Sequence, residues 1–190
     1  SQNMAAQAGT VDVTITWAWI TNADVAVEGE SFTYTGSPIT PAVSVTLKGT
    51  QLMKDRDYTL AYTNHTNVGT ATVTVTGIGN YTGTSTRTFV ISKAAAPEIS
   101  WPTASAITCG EKVSDSRLSG GSTQYGTFAW SDTVKDTTPT VGTSPYKVVF
   151  TPSEATKNNY ETITTTEKNV SLTVNAKSLN GASVTVSGSY

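Results

Sequence analysis

Histidine and cysteine, the side chains that most often act as base, nucleophile or soft metal ligand, each occur once in the 190-residue chain, as His65 and Cys109. A hydrolytic triad needs a base beside its nucleophile, and a zinc site needs three or four protein ligands. His65 lies alone in a polar hairpin, so we interpret it as structural. Cys109 has no cysteine partner and follows an apolar residue, and we predict that its side chain is small, buried and unpaired.

Carboxylates are the next groups that could do chemistry. Two pairs of aspartates each flank a basic residue, namely Asp55 and Asp57 around Arg56, and Asp132 and Asp136 around Lys135. Such oxygens can bind calcium, but an EF-hand loop is far denser in Asp, Asn and Gly. Glycoside hydrolysis needs two carboxylates in one cleft, and no pair in the sequence meets that condition. We interpret these aspartates as solvated turn residues and predict no enzyme, no metal site and no cofactor.

The four tryptophans could recognise a ligand without catalysing a reaction. Trp101 precedes a proline and Trp130 ends the apolar run 128–130, and we predict that both belong to the core of the second module. Trp17 and Trp19 share one face of the alternating segment 11–19. This leaves three alternatives for them: core residues, packing against a neighbouring module, or an exposed platform on which sugar rings stack. Trp17 and Trp19 are therefore the candidate residues for a ligand or inter-module contact.

Composition narrows the possible partners. Charged residues make up 14 % of the chain, and the net charge at pH 7 is −2. This balance does not favour binding to nucleic acid or to an anionic membrane surface. No stretch approaches the roughly 20 apolar residues of a membrane-spanning helix, so we predict no membrane insertion. A single cysteine excludes the disulfide-rich secreted scaffolds, although it does not exclude secretion itself.

Strand patterns run through the chain. Across residues 70–76, threonines alternate with Ala71, Val73 and Val75, which predicts a strand with one buried and one solvated face. Similar runs are separated by turn residues. The candidate strands lie near 23–28, 32–35, 42–48, 57–63, 69–76 and 84–91, and then near 98–101, 105–108, 126–130, 146–151, 160–164 and 168–174. We predict short helical turns at 114–118 and 153–158 and no long helix.

Short strands separated by turns predict an all-β fold. The composition changes at residues 93–97, where three alanines and a proline indicate a joint, because proline ends regular strand pairing. We therefore predict two small β-sandwich-like modules in tandem, either Ig-like or helix-poor β-grasp-like. The first module spans 20–92 and the second spans 93–176.

An internal repeat links the two ends of the chain. Residues 11–29 match residues 170–188 without a gap, with Ile15 opposite Val174 and Val25 opposite Val184. Self-similarity of this kind indicates a tandem array. We therefore predict that 1–19 is the tail and last strand of a preceding module and that 177–190 is the first strand of a truncated next module. The chain would then be an internal fragment of a longer protein.

Two sets of motifs resemble known repeat modules and together cover nearly all of 20–176. The first set contains Tyr34-Thr35-Gly36, Asp57-Tyr58, Asn67-Val68-Gly69-Thr70-Ala71 and Gly79-Asn80-Tyr81-Thr82-Gly83. The second set contains Trp101-Pro102, Ile107-Thr108-Cys109-Gly110, Gly126-Thr127-Phe128-Ala129-Trp130 and Asn159-Tyr160. Both resemble the tandem repeat modules, MBG-type or bacterial Ig-like, of large Gram-positive cell-surface proteins. Cys109 departs from this pattern, which places a tyrosine before the glycine.

The resemblance implies a structural function. The modules would be spacer or stalk elements of a secreted, adhesin-like protein on the extracellular surface of a Gram-positive bacterium, with neighbouring modules of the same chain as their partners. The alternative is a glycan- or matrix-binding module of a surface adhesin, in which exposed aromatic residues or edge strands would hold a host glycan or matrix protein.

Overall fold

The computed structural model describes residues 16–178, and this part of the chain has the predicted all-β fold. Its helical elements are one short α-helix, α1 (Glu154–Asn159), and two 3-10 turns, Ile20–Asn22 and Val113–Asp115. The chain divides into two compact units, Ser1–Ser92 and Lys93–Tyr190. The strands predicted in 11–15 and 179–190 lie outside the described residues.

The described part of the first unit contains nine strands, which are β1 (Ala18–Trp19), β2 (Asp24–Val27), β3 (Ser31–Thr33), β4 (Val43–Leu47), β5 (Thr50–Gln51), β6 (Tyr58–Thr63), β7 (Gly69–Gly77), β8 (Tyr81–Thr82) and β9 (Thr84–Ser92). They form a four-stranded sheet in the order β3-β9-β7-β6, a three-stranded sheet β2-β4-β5 and the pair β1-β8. The six strands predicted from the sequence of this unit are all present. The other three strands, β1, β5 and β8, are two residues long, and β1 lies in the predicted strand segment 11–19, whereas β5 and β8 were not predicted.

Strand β7 lies between β9 and β6 in the four-stranded sheet, and its alternating sequence gives it one apolar face. Ala71, Val73 and Val75 are fully buried, as the pattern predicted, and the threonines between them are more accessible. β7 pairs antiparallel with β6 and with β9. Two clusters of buried residues form the core, one around Val75 and Ile20 and the other around Ala71 and Phe89.

The described part of the second unit contains six strands, which are β10 (Thr103–Ala104), β11 (Ile107–Thr108), β12 (Leu118–Ser119), β13 (Gly126–Trp130), β14 (Gly142–Pro152) and β15 (Glu167–Asn175). They form a four-stranded sheet β11-β15-β14-β13 and the pair β10-β12. One core cluster holds this unit together, with Trp130, Val148 and Leu172 among its buried members. The predicted core position of Trp130 is confirmed, whereas Trp101 is half-buried and packs against the same cluster.

The two four-stranded sheets have the same arrangement. In each, the last described strand of the unit lies between a long antiparallel neighbour and a short parallel strand from the N-terminal part of that unit. β3 pairs with β9, with Phe32 opposite Ile91, and β11 pairs with β15, with Ile107 opposite Val174. The long neighbours are β7 and β14, and the outer strands are β6 and β13. Because parallel strands need a long crossover connection, these pairings join sequence-distant parts of each unit.

Two predicted strands of the second unit are absent from the described structure. Residues 98–101 are bonded to a loop instead of a strand, since the Ser100 N–H donates to the Ser122 hydroxyl and the Ser122 N–H donates to the Ser100 carbonyl. Residues 160–164 follow α1, and Tyr160 caps that helix by donating its N–H to the Thr156 carbonyl. The helical turn predicted at 153–158 is confirmed by α1.

Candidate functional site

The candidate residues Trp17 and Trp19 lie at the N-terminal edge of the described chain. Trp19 belongs to β1, and Trp17 precedes that strand. β1 pairs in parallel with β8, which places Trp19 opposite Thr82. The Ala18 N–H also donates a 3.1 Å hydrogen bond to the Asn80 carbonyl oxygen. These contacts hold the backbone around both tryptophans beside the turn that precedes β8.

The next residue, Ile20, accounts for the exposure of Trp19. Ile20 begins a 3-10 turn, and its side chain is fully buried. Successive residues of an extended chain face opposite sides, so burial of Ile20 leaves the preceding indole in solvent. Trp17 is 64 % exposed and Trp19 is 58 % exposed. Neither ring therefore belongs to the core of the first unit, and their role as a ligand or inter-module contact stays a prediction.

Both tryptophans line one shallow cavity. This cavity has a volume of about 420 Å³ and is also lined by Thr16 and Thr82. A second, smaller cavity of about 180 Å³ is lined by Thr16, Trp17, Gly79 and Asn80. Together these residues form a surface that we call the tryptophan platform, made up of Thr16, Trp17, Trp19, Gly79, Asn80 and Thr82.

Gly83 fixes the position of the Trp19 ring. A Cβ atom built on Gly83 would lie 3.1 Å from Cε3 and 3.6 Å from Cζ3 of the Trp19 indole. The ring therefore packs against the backbone at a position where any side chain would crowd it. Gly83 also has a φ of 82°, a conformation that favours glycine over residues with a Cβ atom.

The tryptophan platform offers chemical groups that suit molecular recognition. Its side chains supply two indole faces, the hydroxyl groups of Thr16 and Thr82, and the amide of Asn80. None of these six lining residues carries a charged side chain. Indole presents a large apolar face with a negative quadrupole, and its N–H can donate a hydrogen bond. The surface can therefore stack on a flat apolar face and hydrogen-bond to neutral polar groups.

His65 has a structural role in the connection between β6 and β7. Its Nδ1 donates a 3.2 Å hydrogen bond to the carbonyl oxygen of Ile39, since a carbonyl can only accept. The Ile39 N–H in turn donates to the His65 carbonyl, with a distance of 2.8 Å. The imidazole also lies 5.7 Å from the ring of Tyr62. His65 therefore ties the hairpin to the segment before β4.

Asp57 organises the turn before β6 and is the more structured of the two aspartates that flank Arg56. Its carboxylate is buried and accepts hydrogen bonds from the Met53 N–H at 2.8 Å and from Arg56 Nη2 at 2.8 Å. The hydrogen bond from the Arg56 guanidinium, followed by that from Met53, holds the pKa of Asp57 below its ordinary value. Asp55 is exposed and lies 4.0 Å from Lys54. The prediction that both aspartates are solvated is therefore wrong for Asp57, whose buried carboxylate bonds to its own turn, and right for Asp55.

The second pair of aspartates is engaged by lysines. Asp132 accepts from Lys135 at 2.6 Å, and Asp136 accepts from Lys112 at 3.1 Å. The hydrogen bond from Lys135 lowers the pKa of Asp132. Both carboxylates are largely exposed. These residues are solvated turn carboxylates, as the sequence predicted.

Cys109 is exposed, so the prediction that it is buried was wrong. Ile107 is buried, and strict alternation would bury Cys109 two residues later on the same face. The alternation stops because β11 ends at Thr108 and the chain turns at Gly110, which has a φ of 101°. The Cys109 N–H still donates to the Asn175 carbonyl oxygen at 2.9 Å, but its side chain faces solvent.

The rim of the tryptophan platform could not be identified from the sequence. Gly79, Asn80 and Thr82 belong, with the neighbouring Gly83, to one of the motifs that resemble repeat modules, but nothing in their spacing connects them to Trp17. The connection is the parallel pairing of β1 with β8, which joins residues more than sixty positions apart. A pairing of two-residue strands is too short to produce a periodic pattern.

Comparisons of the chain with protein-family models, curated proteins and solved structures found no match. The resemblance of its motifs to surface-protein modules therefore stays a prediction. Within residues 16–178, no helix is both long and apolar enough to cross a membrane. In the same range, no group of three or more His, Cys, Asp or Glu side chains is arranged to hold a metal ion.

Proposed function

We propose that the chain is a structural spacer of a secreted bacterial cell-surface protein and that its units transmit tension along the chain without catalysing a reaction. One observation carries this proposal. In each unit, a strand from the N-terminal part pairs in parallel with the last described strand, as β3 does with β9 and β11 with β15.

Parallel pairing matters because of the direction in which tension acts. Pulling on the chain draws an early strand toward the N-terminus and a late strand toward the C-terminus. In a parallel pair these pulls oppose each other along one axis and load all the hydrogen bonds between the strands together. A hairpin pulled at its open end instead loses its bonds one pair at a time. Parallel pairing of early and late strands therefore gives a small β unit resistance to stretching.

Specific backbone bonds hold these parallel pairs. In the first unit, the Val90 N–H donates to Glu30 and the Tyr34 N–H donates to Ser92, both at 2.9 Å. In the second unit, the Cys109 N–H donates to Asn175, and a further parallel bridge joins Ala94 to Tyr160. A backbone hydrogen bond therefore lies at each end of the β3–β9 pairing.

The solvated faces also support an extracellular spacer. Threonine carries the accessible face of β7, and it combines β propensity with a hydroxyl that stays hydrated. Only 14 % of the residues are charged. Solvation of the accessible face of β7 therefore depends on neutral hydroxyl groups.

Force spectroscopy on single molecules of the full chain tests the proposal. One measurement pulls the chain by its two ends. The other uses a Cys109→Ser background with Thr59→Cys and Thr76→Cys as attachment points, because these residues are cross-strand partners near the open end of the β6–β7 hairpin. Unfolding of a unit is identified by its gain in length, at roughly 3.5 Å per residue.

We expect the first unit to need a higher force when the chain is pulled by its ends than when the hairpin is pulled at 59 and 76. Forced unfolding is governed by the rate of unfolding, so the comparison reports the barrier in each direction. End-to-end forces equal to or below those of the hairpin geometry would contradict the proposed function.

A further inference from the structure

We infer that the tryptophan platform is a binding site for neutral sugar rings, with Trp17 and Trp19 as the stacking residues and Asn80, Thr16 and Thr82 as hydrogen-bonding partners. This inference does not depend on the proposed spacer function. It rests on the exposure of the two indoles, on the contacts that hold them, and on the neutral lining of the cavities.

The exposure of two tryptophans at one place is unusual for a stable surface. A tryptophan buries about 150–250 Å² of surface when it packs, which stabilises the fold. The other two tryptophans of the chain are packed in this way. Trp130 is buried and Trp101 is half-buried, whereas Trp17 and Trp19 are the most exposed large apolar side chains of the described residues. A concentration of exposed aromatic surface with a polar rim marks an interaction site.

The platform is held in place before any ligand binds. The backbone of Trp19 is paired with Thr82, the next side chain, Ile20, is anchored in the core, and the indole packs against Gly83. Binding therefore does not have to order this ring, and the entropic cost of association is reduced.

The lining favours sugars over other ligands that stack on aromatic rings. A pyranose presents an apolar face of C–H groups, which suits the negative face of indole, and a rim of hydroxyl groups, which suits amide and hydroxyl partners. Single-stranded nucleic acid also stacks on aromatic side chains, but it requires a positively charged groove. Quaternary ammonium groups bind aromatic cages through cation–π attraction. The platform is an open surface bordered by hydroxyl and amide groups, which matches a neutral polyol better than a cation.

The test measures binding of the full chain to cellohexaose and chitohexaose, with choline and a single-stranded oligonucleotide as the competing probes. Titration calorimetry and tryptophan fluorescence supply the affinities. The variants Trp17→Ala and Trp19→Ala remove one stacking face each, and Trp17→Phe keeps an aromatic ring. Met53→Ala is the matched control, because Met53 is a large apolar side chain of the first unit that is 53 % exposed and lies outside the platform.

We expect at least one of the two hexasaccharides to bind, and each alanine variant to weaken that binding about ten-fold or more. Trp17→Phe should retain more affinity than Trp17→Ala, and Met53→Ala should bind as the unchanged protein does. Circular dichroism confirms that each variant is folded. Binding of neither hexasaccharide, equal loss in the Met53→Ala control, or binding of choline or the oligonucleotide in place of the sugars would overturn the inference. So would self-association of the chain through these tryptophans, detected by sedimentation.

Discussion

The indole N–H of Trp130 donates a 2.9 Å hydrogen bond to the main-chain carbonyl oxygen of Ser116, and both residues are buried. The Ser116 hydroxyl in turn donates to the carbonyl oxygen of Ser105. Strand β13 is thereby joined to the loop that follows the 3-10 turn Val113–Asp115. Because the bond is out of water, its loss leaves a buried carbonyl without its partner.

Trp130→Phe is expected to destabilise the second unit by about 1–3 kcal/mol, the cost of leaving a buried polar group unsatisfied. Urea unfolding of the full chain measures the effect, with the slope of the transition unchanged. Trp17→Phe is the control, because that ring is exposed and its replacement should change stability by less than about 0.5 kcal/mol. Equal effects of the two substitutions would show that the buried hydrogen bond contributes nothing.

Cys109 should react readily in the native protein because its side chain is exposed. We expect a thiol reagent to label the folded chain at a rate close to that of the chain unfolded in urea. Cys109→Ser should change the free energy of unfolding by less than about 0.5 kcal/mol, as is usual at the surface. Labelling that requires denaturant would restore the original prediction of a buried thiol.

The lowered pKa of Asp57 makes the stability of the folded state depend on pH. Its pKa in the folded state is lowered by Arg56 and by the Met53 N–H. The stabilisation is therefore fully present above the unfolded-state pKa of about 3.9 and is lost as the pH falls through the lower folded-state value.

Asp57→Asn is accordingly expected to lower stability at pH 7 and to make the loss of stability below pH 4 less steep. Thermal unfolding measured from pH 7 to pH 2 checks both effects. Asp55→Asn is the matched control, because Asp55 is exposed and asparagine tolerates its φ of 64°. If Asp57→Asn showed the same dependence of stability on pH as the unchanged protein, the assigned role of this carboxylate would be refuted.

Local patterns in the sequence were sufficient to predict most of the strands but not their partners. The alternation of threonine with Ala71, Val73 and Val75 predicted both β7 and its buried face. The parallel pairings of β3 with β9 and of β11 with β15 carry no local signature, because a strand's side-chain pattern reports which face is buried and not which strand lies beside it. Strands of two residues are too short to show a period at all.

The candidate site was predictable to the same extent. The spacing of Trp17 and Trp19 identified both residues as candidates, but three alternatives remained because the burial of Ile20 depends on tertiary contacts. The failure at Cys109 has a similar cause. Its position two residues after Ile107 suggested a shared face, but the strand ends between them.

Gly83 provides the most direct test of how the platform is built. Gly83→Ala places a Cβ atom 3.1 Å from the Trp19 ring and adopts a φ of 82° that disfavours a side chain. Gly110→Ala is the matched control, since Gly110 has a φ of 101° and nothing within 4 Å of the added atom. Both variants should lose about 1–2 kcal/mol of stability to backbone strain.

Only Gly83→Ala should also displace the indole. We therefore expect the NMR signal of the Trp19 indole N–H to shift in Gly83→Ala and to stay unchanged in Gly110→Ala. If the inferred sugar site is correct, sugar affinity should fall in the first variant alone, because the proposed stacking ring would move while the hydroxyl groups of Thr16 and Thr82 are retained. An unshifted Trp19 signal in Gly83→Ala would mean that the ring is positioned by contacts other than the one with this glycine, namely the β1–β8 pairing and the buried Ile20 next to it.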